Sequence, residues 1–372
     1  MMFRAVFAIF YLSIYLAPNT AFGQAQSQKP IEIGALLPLT GTFSDWGNGI
    51  LKGLNFGLRD FSLIQANIQD DQCEGTRAVD ATHMLLSKGI KVFFVACVAS
   101  VKAIASIVQK ADGVVFVLGG IDDETLGVNT NVVDLATAVS SEARYLAAYI
   151  ASQPQIKKVG IIHGTNFFGE ELGSELAKDL AARNRTVSNR EKMDVTSIDC
   201  RAIALRILSQ HPDAVFVHGS EFSSGQCIKV LRHTGFKGPL FAPYTIESES
   251  FLRAAGPAGE GVKYTFNSSA ASKDSATLEW ENQFVSEFGT NPISHALITY
   301  DGVRLLNESL NHCDRNESSC VLTYFKNLGK IDGIAGQVVF QSNGGALRPF
   351  GIKQIHDGKF QWVVDEVDLG GT

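Results

Sequence analysis

Two adjacent carboxylates, Asp70-Asp71, eight histidines and six cysteines are the residues of this chain whose types could make or break bonds or hold a metal. Acid–base catalysis needs two carboxyl groups converging on one point. Asp70 and Asp71 are neighbours at the end of a strand-like run, where successive side chains point to opposite faces, so a joint role is not expected. The histidines have no metal-ligand spacing: His211 and His218 flank one strand-like run and His163 ends another, as strand-end or surface residues do. No HExxH, GxSxG or phosphate-loop pattern occurs. The expectation is a protein that is not an enzyme and has no metal or cofactor.

The cysteines carry a clearer message once the compartment is read. Arg4 is the only charge in residues 1–23, Ala5 to Leu16 is a mostly apolar run, and Ala21-Phe22-Gly23 offers small residues for cleavage, the layout of a secretory signal peptide. No later stretch reaches the roughly 20 apolar residues needed to span a bilayer, and no cysteine near the cleavage point suggests a lipid anchor. An even number of cysteines in an exported chain implies disulfides. Six cysteines allow about fifteen pairings. Cys73 follows the second strand and Cys97 ends the third, Cys313 and Cys320 enclose a short polar loop, and Cys200 and Cys227 lie on either side of the Ala214 to Val217 run. These placements favour Cys73–Cys97, Cys200–Cys227 and Cys313–Cys320.

A ligand site is suggested by Ile31 to Trp46, where an apolar strand enters the Thr40-Gly41-Thr42 turn and a helix opens at Phe43-Ser44-Asp45. Backbone N–H groups at such a helix start are free to meet a ligand. The net charge of −6 argues against a nucleic-acid partner.

Apolar runs at Ile31 to Leu37, Val92 to Val95, Val114 to Leu118, Val159 to His163, Ala214 to Val217 and Pro239 to Ala242 alternate with helical patterns at Ala78 to Ser87, Ser140 to Ala151, Gly169 to Arg183, Ala202 to Gln210 and Gly225 to Arg232. This βα alternation implies parallel sheets with right-handed crossovers. The series is too long for one sheet and predicts two doubly wound α/β lobes, with a boundary near residues 135–147. From Ser272 closely spaced helices follow, at Ser275 to Phe288, His295 to Leu310 and Val321 to Leu328, and Asp357-Gly358 marks a closing hairpin.

The order of these pieces over residues 30–364 resembles the leucine/isoleucine/valine-binding family of periplasmic solute receptors for ABC importers. The supporting motifs are IGALLPLTG with Trp46-Gly47, Asp70-Asp71-Gln72-Cys73, Val159-Gly160-Ile161-Ile162 leading to Phe168-Gly169-Glu170, Pro212-Asp213-Ala214-Val215, Tyr300-Asp301-Gly302, and Gly333 to Phe340 with Gly358-Lys359-Phe360. The resemblance implies a type I periplasmic binding fold of two Rossmann-like lobes joined by a hinge, with residues 30–142 plus 271–343 in one lobe and 143–270 plus 344–366 in the other. It further implies a periplasmic, monomeric receptor that closes on an amino acid or similar small polar solute and is recognised by a permease in the inner membrane; a sensor module reporting to a membrane kinase is the alternative.

Site residues follow from the same resemblance. Trp46 matches the family's aromatic wall, Ser100 the hydroxyl that grips a ligand carboxylate, and Gly120 the carbonyl that accepts a ligand ammonium. Asp122 stands where threonine is usual, Phe168 where tyrosine is usual, Ser220 or Glu221 at the next strand end, and Tyr244 at a position often acidic. Asp122 and Glu221 would give the cleft an acidic character and favour an ammonium-bearing or donor-rich solute. The plainer readings are that Trp46 and Phe168 are core aromatics and that Ser100 and Asp122 are helix caps.

Overall fold

The computed structural model describes residues 30–267, 275–314 and 317–364. The expected signal peptide, residues 1–23, lies outside them. Among the described residues no helix is long and apolar enough to cross a membrane.

In the first half, strands β1 (Ile31–Leu37), β2 (Ile64–Asp70), β3 (Val92–Val95), β4 (Val114–Val117) and β5 (Val132–Asp134) form a parallel sheet in the order β2-β1-β3-β4-β5. Helices α1 (Ser44–Asp60), α2 (Gly75–Ser87), α3 (Val98–Lys110) and α4 (Asp123–Val128) connect them. The strands β3, VFFV, and β4, VVFV, are buried along their whole length, as four-residue apolar runs covered on both faces must be. Each buried Phe, such as Phe94 or Phe116, contributes about 1.5–3 kcal/mol relative to exposure. One face of α1, with Ile50, Gly53, Leu54 and Gly57, packs inward. Gly53 is there because a Cβ would stand 2.2 Å from the backbone oxygen of Ala296.

Next come α5 (Val139–Ala151), β6 (Lys158–Gly164), α6 (Phe167–Ala182), β7 (Thr186–Met193), α7 (Arg201–Leu208), β8 (Ala214–Val217), α8 (Glu221–His233), β9 (Leu240–Ala242), α9 (Glu249–Ala255) and β10 (Lys263–Phe266). Their strands run parallel in the order β7-β6-β8-β9-β10. Helices α10 (Ser275–Phe288), α11 (Ser294–Ser309) and α12 (Ser318–Lys326) return the chain to the first sheet, where Trp280, Ala296 and Phe325 share a core with Ile33 and Phe94. A small antiparallel sheet, β11 (Lys330–Gly333), β12 (Gly336–Phe340) and β13 (Ala346–Leu347), completes that side. Finally β14 (Gly351–His356) pairs antiparallel with β10, and β15 (Lys359–Val364) pairs with β14 through the Asp357-Gly358 turn.

The chain therefore crosses between two α/β lobes three times. The first crossing spans 135–138 and the last lies between Leu347 and Gly351; the buried Arg348 ties them by donating from Nε to the carbonyl of Leu135 at 2.8 Å. Three disulfides are present, Cys73–Cys97, Cys200–Cys227 and Cys313–Cys320, with Cα separations of 5.4, 5.0 and 5.6 Å. These are the pairs that strand and loop placement favours.

Candidate ligand-binding cleft

In a doubly wound sheet, ligands bind beyond the carboxyl ends of the strands at the point where strand order reverses. That point lies between β1 and β3 in one lobe and between β6 and β8 in the other. The segments following those strands face each other across a cavity of ≈ 500 Å³. Phe43 and Trp46 follow β1, Cys97, Val98 and Ala99 follow β3, and Gly119 follows β4; opposite them are Phe167 and Phe168 after β6, His218 and Glu221 after β8, and Tyr244 after β9.

The walls are aromatic. Phe168 meets His218 edge-on at 5.2 Å between centroids and Tyr244 at 5.6 Å; Tyr244 meets His295 at 4.4 Å, and His295 meets Trp46 at 5.5 Å. Rings from both lobes thus form a continuous arc. Gly119 lets the indole lie against the backbone, since a Cβ there would stand 2.7 Å from the Trp46 ring. The hydroxyl of Tyr244 donates across the cleft to the carbonyl of Gly119 at 3.1 Å.

Polar groups are few and mostly neutral. Burial pushes His218 and His295 down to about 3, so both rings are uncharged. Glu221 is 4% exposed, and its Oε1 has no partner. Burial raises its carboxyl to about 7, with Asp45 adding to the rise and the backbone N–H of Trp46 opposing it. Glu170, also on the lining, is more open and pairs with Lys192 at 2.7 Å. Among the described residues that line the cavity there is neither lysine nor arginine. The first turn of α3 borders it through Val98 and Ala99, and the N-cap Cys97 makes no side-chain capping bond, so backbone N–H groups are the positive end available to an anion.

A family model described as periplasmic binding protein matches residues 30–359. The chain belongs to the periplasmic binding protein family. The leucine-specific-binding protein of Salmonella typhimurium is 22% identical over 357 residues, covering 93% of this chain and 94% of that one. Among solved structures, a leucine-binding protein, LivK, from Thermotoga maritima superposes with a TM-score of 0.85 at 16% identity, covering 90% of this chain and 98% of that one. A solute-binding protein of an ABC transporter from R. palustris, in complex with benzoate, gives 0.80 at 18% identity, with 91% and 97% covered.

In this periplasmic binding protein Trp46, Phe168, Glu221 and Tyr244 come together on the cavity, and four other candidate contacts do not line it. Ser100 is fully buried on the inner side of α3 and donates its hydroxyl to Asp71 at 2.6 Å. Asp122 is the N-cap of α4: its carboxylate accepts from the N–H of Thr125 at 2.9 Å and pairs with Lys102 at 3.3 Å. Its capping reading is the one the geometry fits. Ser220 caps α8 by accepting from the N–H of Ser223 at 3.2 Å. Gly120 adopts a left-handed φ of 80° against the carbonyl of Thr137, and Gly119 borders the cavity in its place.

The two adjacent carboxylates diverge, Asp71 to Ser100 and Asp70 to the backbone N–H of Leu39 at 2.8 Å, where it fixes the turn after β1. Sequence reasoning missed His295, which backs the cavity wall by packing against Trp46 and Tyr244. It opens α11, far along the chain, and only the second crossing brings it to Trp46.

Proposed function

We propose that this protein is the periplasmic solute receptor of an ABC importer, working as a monomer that closes its lobes on a small solute with a flat apolar body, best matched by an aromatic acid. One observation carries this reading: the interlobe cavity is walled by rings from both lobes. Burying an aromatic solute against Trp46, Phe168 and Tyr244 gains about 25 cal/mol for each Å² of apolar surface removed from water. Its carboxylate would meet the uncapped first turn of α3. Closure then presents a joined pair of lobe surfaces to the permease.

An aliphatic zwitterion such as leucine fits this lining less well, because the hydroxyl of Ser100 and the carboxylate of Asp122 are engaged within the fold. A thermal-shift and calorimetry panel of benzoate, ring-substituted benzoates, leucine, isoleucine and valine tests the reading. A ligand at 100 times its Kd stabilises the folded state by about 2.7 kcal/mol. Aromatic acids are expected to raise the melting temperature more than leucine does. A response confined to the branched-chain amino acids would overturn the aromatic assignment.

A further inference from the structure

We propose that Glu221 selects solutes whose ring bears a hydrogen-bond donor, a hydroxyl or amino group received by its unpartnered Oε1; the assignment rests on the aromatic-solute reading above. Glu221 is almost fully buried among rings, and a polar atom in such a place costs free energy unless it is paired. The backbone N–H of Trp46 favours its charged form, Glu221 lines the cavity, and its Oε1 has no hydrogen-bond partner.

The competing account is that Glu221 serves the fold, since it is the first residue of α8 and acids suit helix starts. That role is already filled by Ser220, which caps the same turn, and it needs no burial, because exposed acids also interact favourably with a helix dipole. Among the other polar groups of the cavity the Oγ1 of Thr245 is also without a hydrogen-bond partner, but a neutral hydroxyl is a weaker acceptor than a carboxylate. The hydroxyl of Tyr244 is committed to Gly119. His218 accepts the N–H of Gly164 through Nδ1 at 3.3 Å, which leaves its other nitrogen as a donor. Glu170 is held by Lys192 in a more open position. A donor on the solute is therefore matched by Glu221, whereas an unsubstituted ring leaves Oε1 unpaired.

The test is isothermal titration of the full-length secreted protein, freed of bound solute, with benzoate, 4-hydroxybenzoate and 4-aminobenzoate. At pH 8, where the Glu221 carboxyl is ionised, the wild type is expected to bind at least one of the two donor-bearing rings ten- to a hundred-fold more tightly than benzoate, as a charge-assisted bond would give. Glu221→Leu is expected to bring that ratio below about threefold. Glu221→Gln, which keeps a neutral acceptor, falls between. Equal wild-type affinity for all three compounds overturns the role of Glu221 and leaves the aromatic-solute reading standing. A preference that survives in Glu221→Leu does the same. If none of the three binds, both readings fall together. The wild-type ratio is decisive even if a variant folds poorly.

Discussion

The hydroxyl of Tyr244 and the carbonyl of Gly119 lie 3.1 Å apart and join the two lobes across the cleft. Tyr244 follows β9 in one lobe and Gly119 follows β4 in the other, so this bond exists only while the lobes are close. Its net contribution is about 0.5–1.5 kcal/mol. Tyr244→Phe keeps the ring contacts with Phe168 and His295 and removes the bond. The variant should bind solute roughly two- to tenfold more weakly, and small-angle scattering should find its unliganded form more open than the wild type. Identical scattering profiles and affinities would mean that the bond does not hold the lobes together.

Trp46 and Phe168 come from opposite lobes and are linked through Tyr244 and His295 rather than by direct stacking. Truncating either ring removes about 1.5–3 kcal/mol of apolar contact with a solute. Trp46→Ala and Phe168→Ala should each weaken binding of the best aromatic ligand tenfold or more. Calorimetric affinities unchanged in both variants would make these rings packing elements only.

Asp122 gives the opposite expectation. Its carboxylate is spent on the start of α4 and on Lys102. Asp122→Ala should lower stability by about 1 kcal/mol, the usual worth of an N-cap. Asp122→Asn, which caps equally well, should leave solute affinities within about twofold. A changed ligand preference in Asp122→Asn would restore it as a cleft residue.

Why some of this was legible follows from the physics of the elements. Buried parallel strands such as β3, β4 and β8 are short uninterrupted apolar runs and can be read directly. The sheet-edge strands β2, IQANIQD, and β7, TVSNREKM, have mixed burial and carry no such run. Trp46, Phe168 and Tyr244 were reachable through the family resemblance, and they line the cavity because strand ends meet at the switch point. Ser100 was misplaced because facing depends on where α3 begins. The helix starts at Val98, so Val98 and Ala99 border the cavity while Ser100 turns back to Asp71. Two residues along a helix rotate a side chain by about 200°, and the start cannot be fixed to that precision without a capping residue.

The Cys73–Cys97 bridge ties the end of β2 to the start of α3 at the edge of the cavity. The 24-residue separation corresponds to a loop whose closure contributes about 3 kcal/mol in the chain-entropy model. Cys73→Ser with Cys97→Ser should reduce unfolding free energy by roughly that amount and weaken solute binding, since Val98 and Ala99 lose their anchor. Denaturant titration together with calorimetry checks both. Undiminished affinity would separate the bridge from the site.

Glu221 also gives the fold a pH dependence of definite sign. Its carboxyl titrates near 7 when folded, against an ordinary value of 4.5. Between those values the folded state holds a proton that the unfolded chain has lost, so this group destabilises the protein as pH rises through the window, and the penalty is constant above it. Its size is on the order of 3 kcal/mol. The groups around it bear differently on the slope. His218 and His295, held neutral down to about 3, favour the folded state as pH rises toward 6.5, and Asp45 adds its negative charge beside Glu221. Glu142, buried under the hydroxyl of Thr265 and the N–H of Tyr244, is raised to about 7 and acts in the same sense as Glu221. The total profile therefore mixes opposing slopes. The difference between wild type and Glu221→Gln isolates the one group, because the neighbours are common to both. The variant should gain melting temperature relative to wild type as pH goes from 5 to 8, with most of the gain between 5 and 7. A difference that stays flat over that range would mean that the Glu221 carboxyl titrates normally and is not buried in solution.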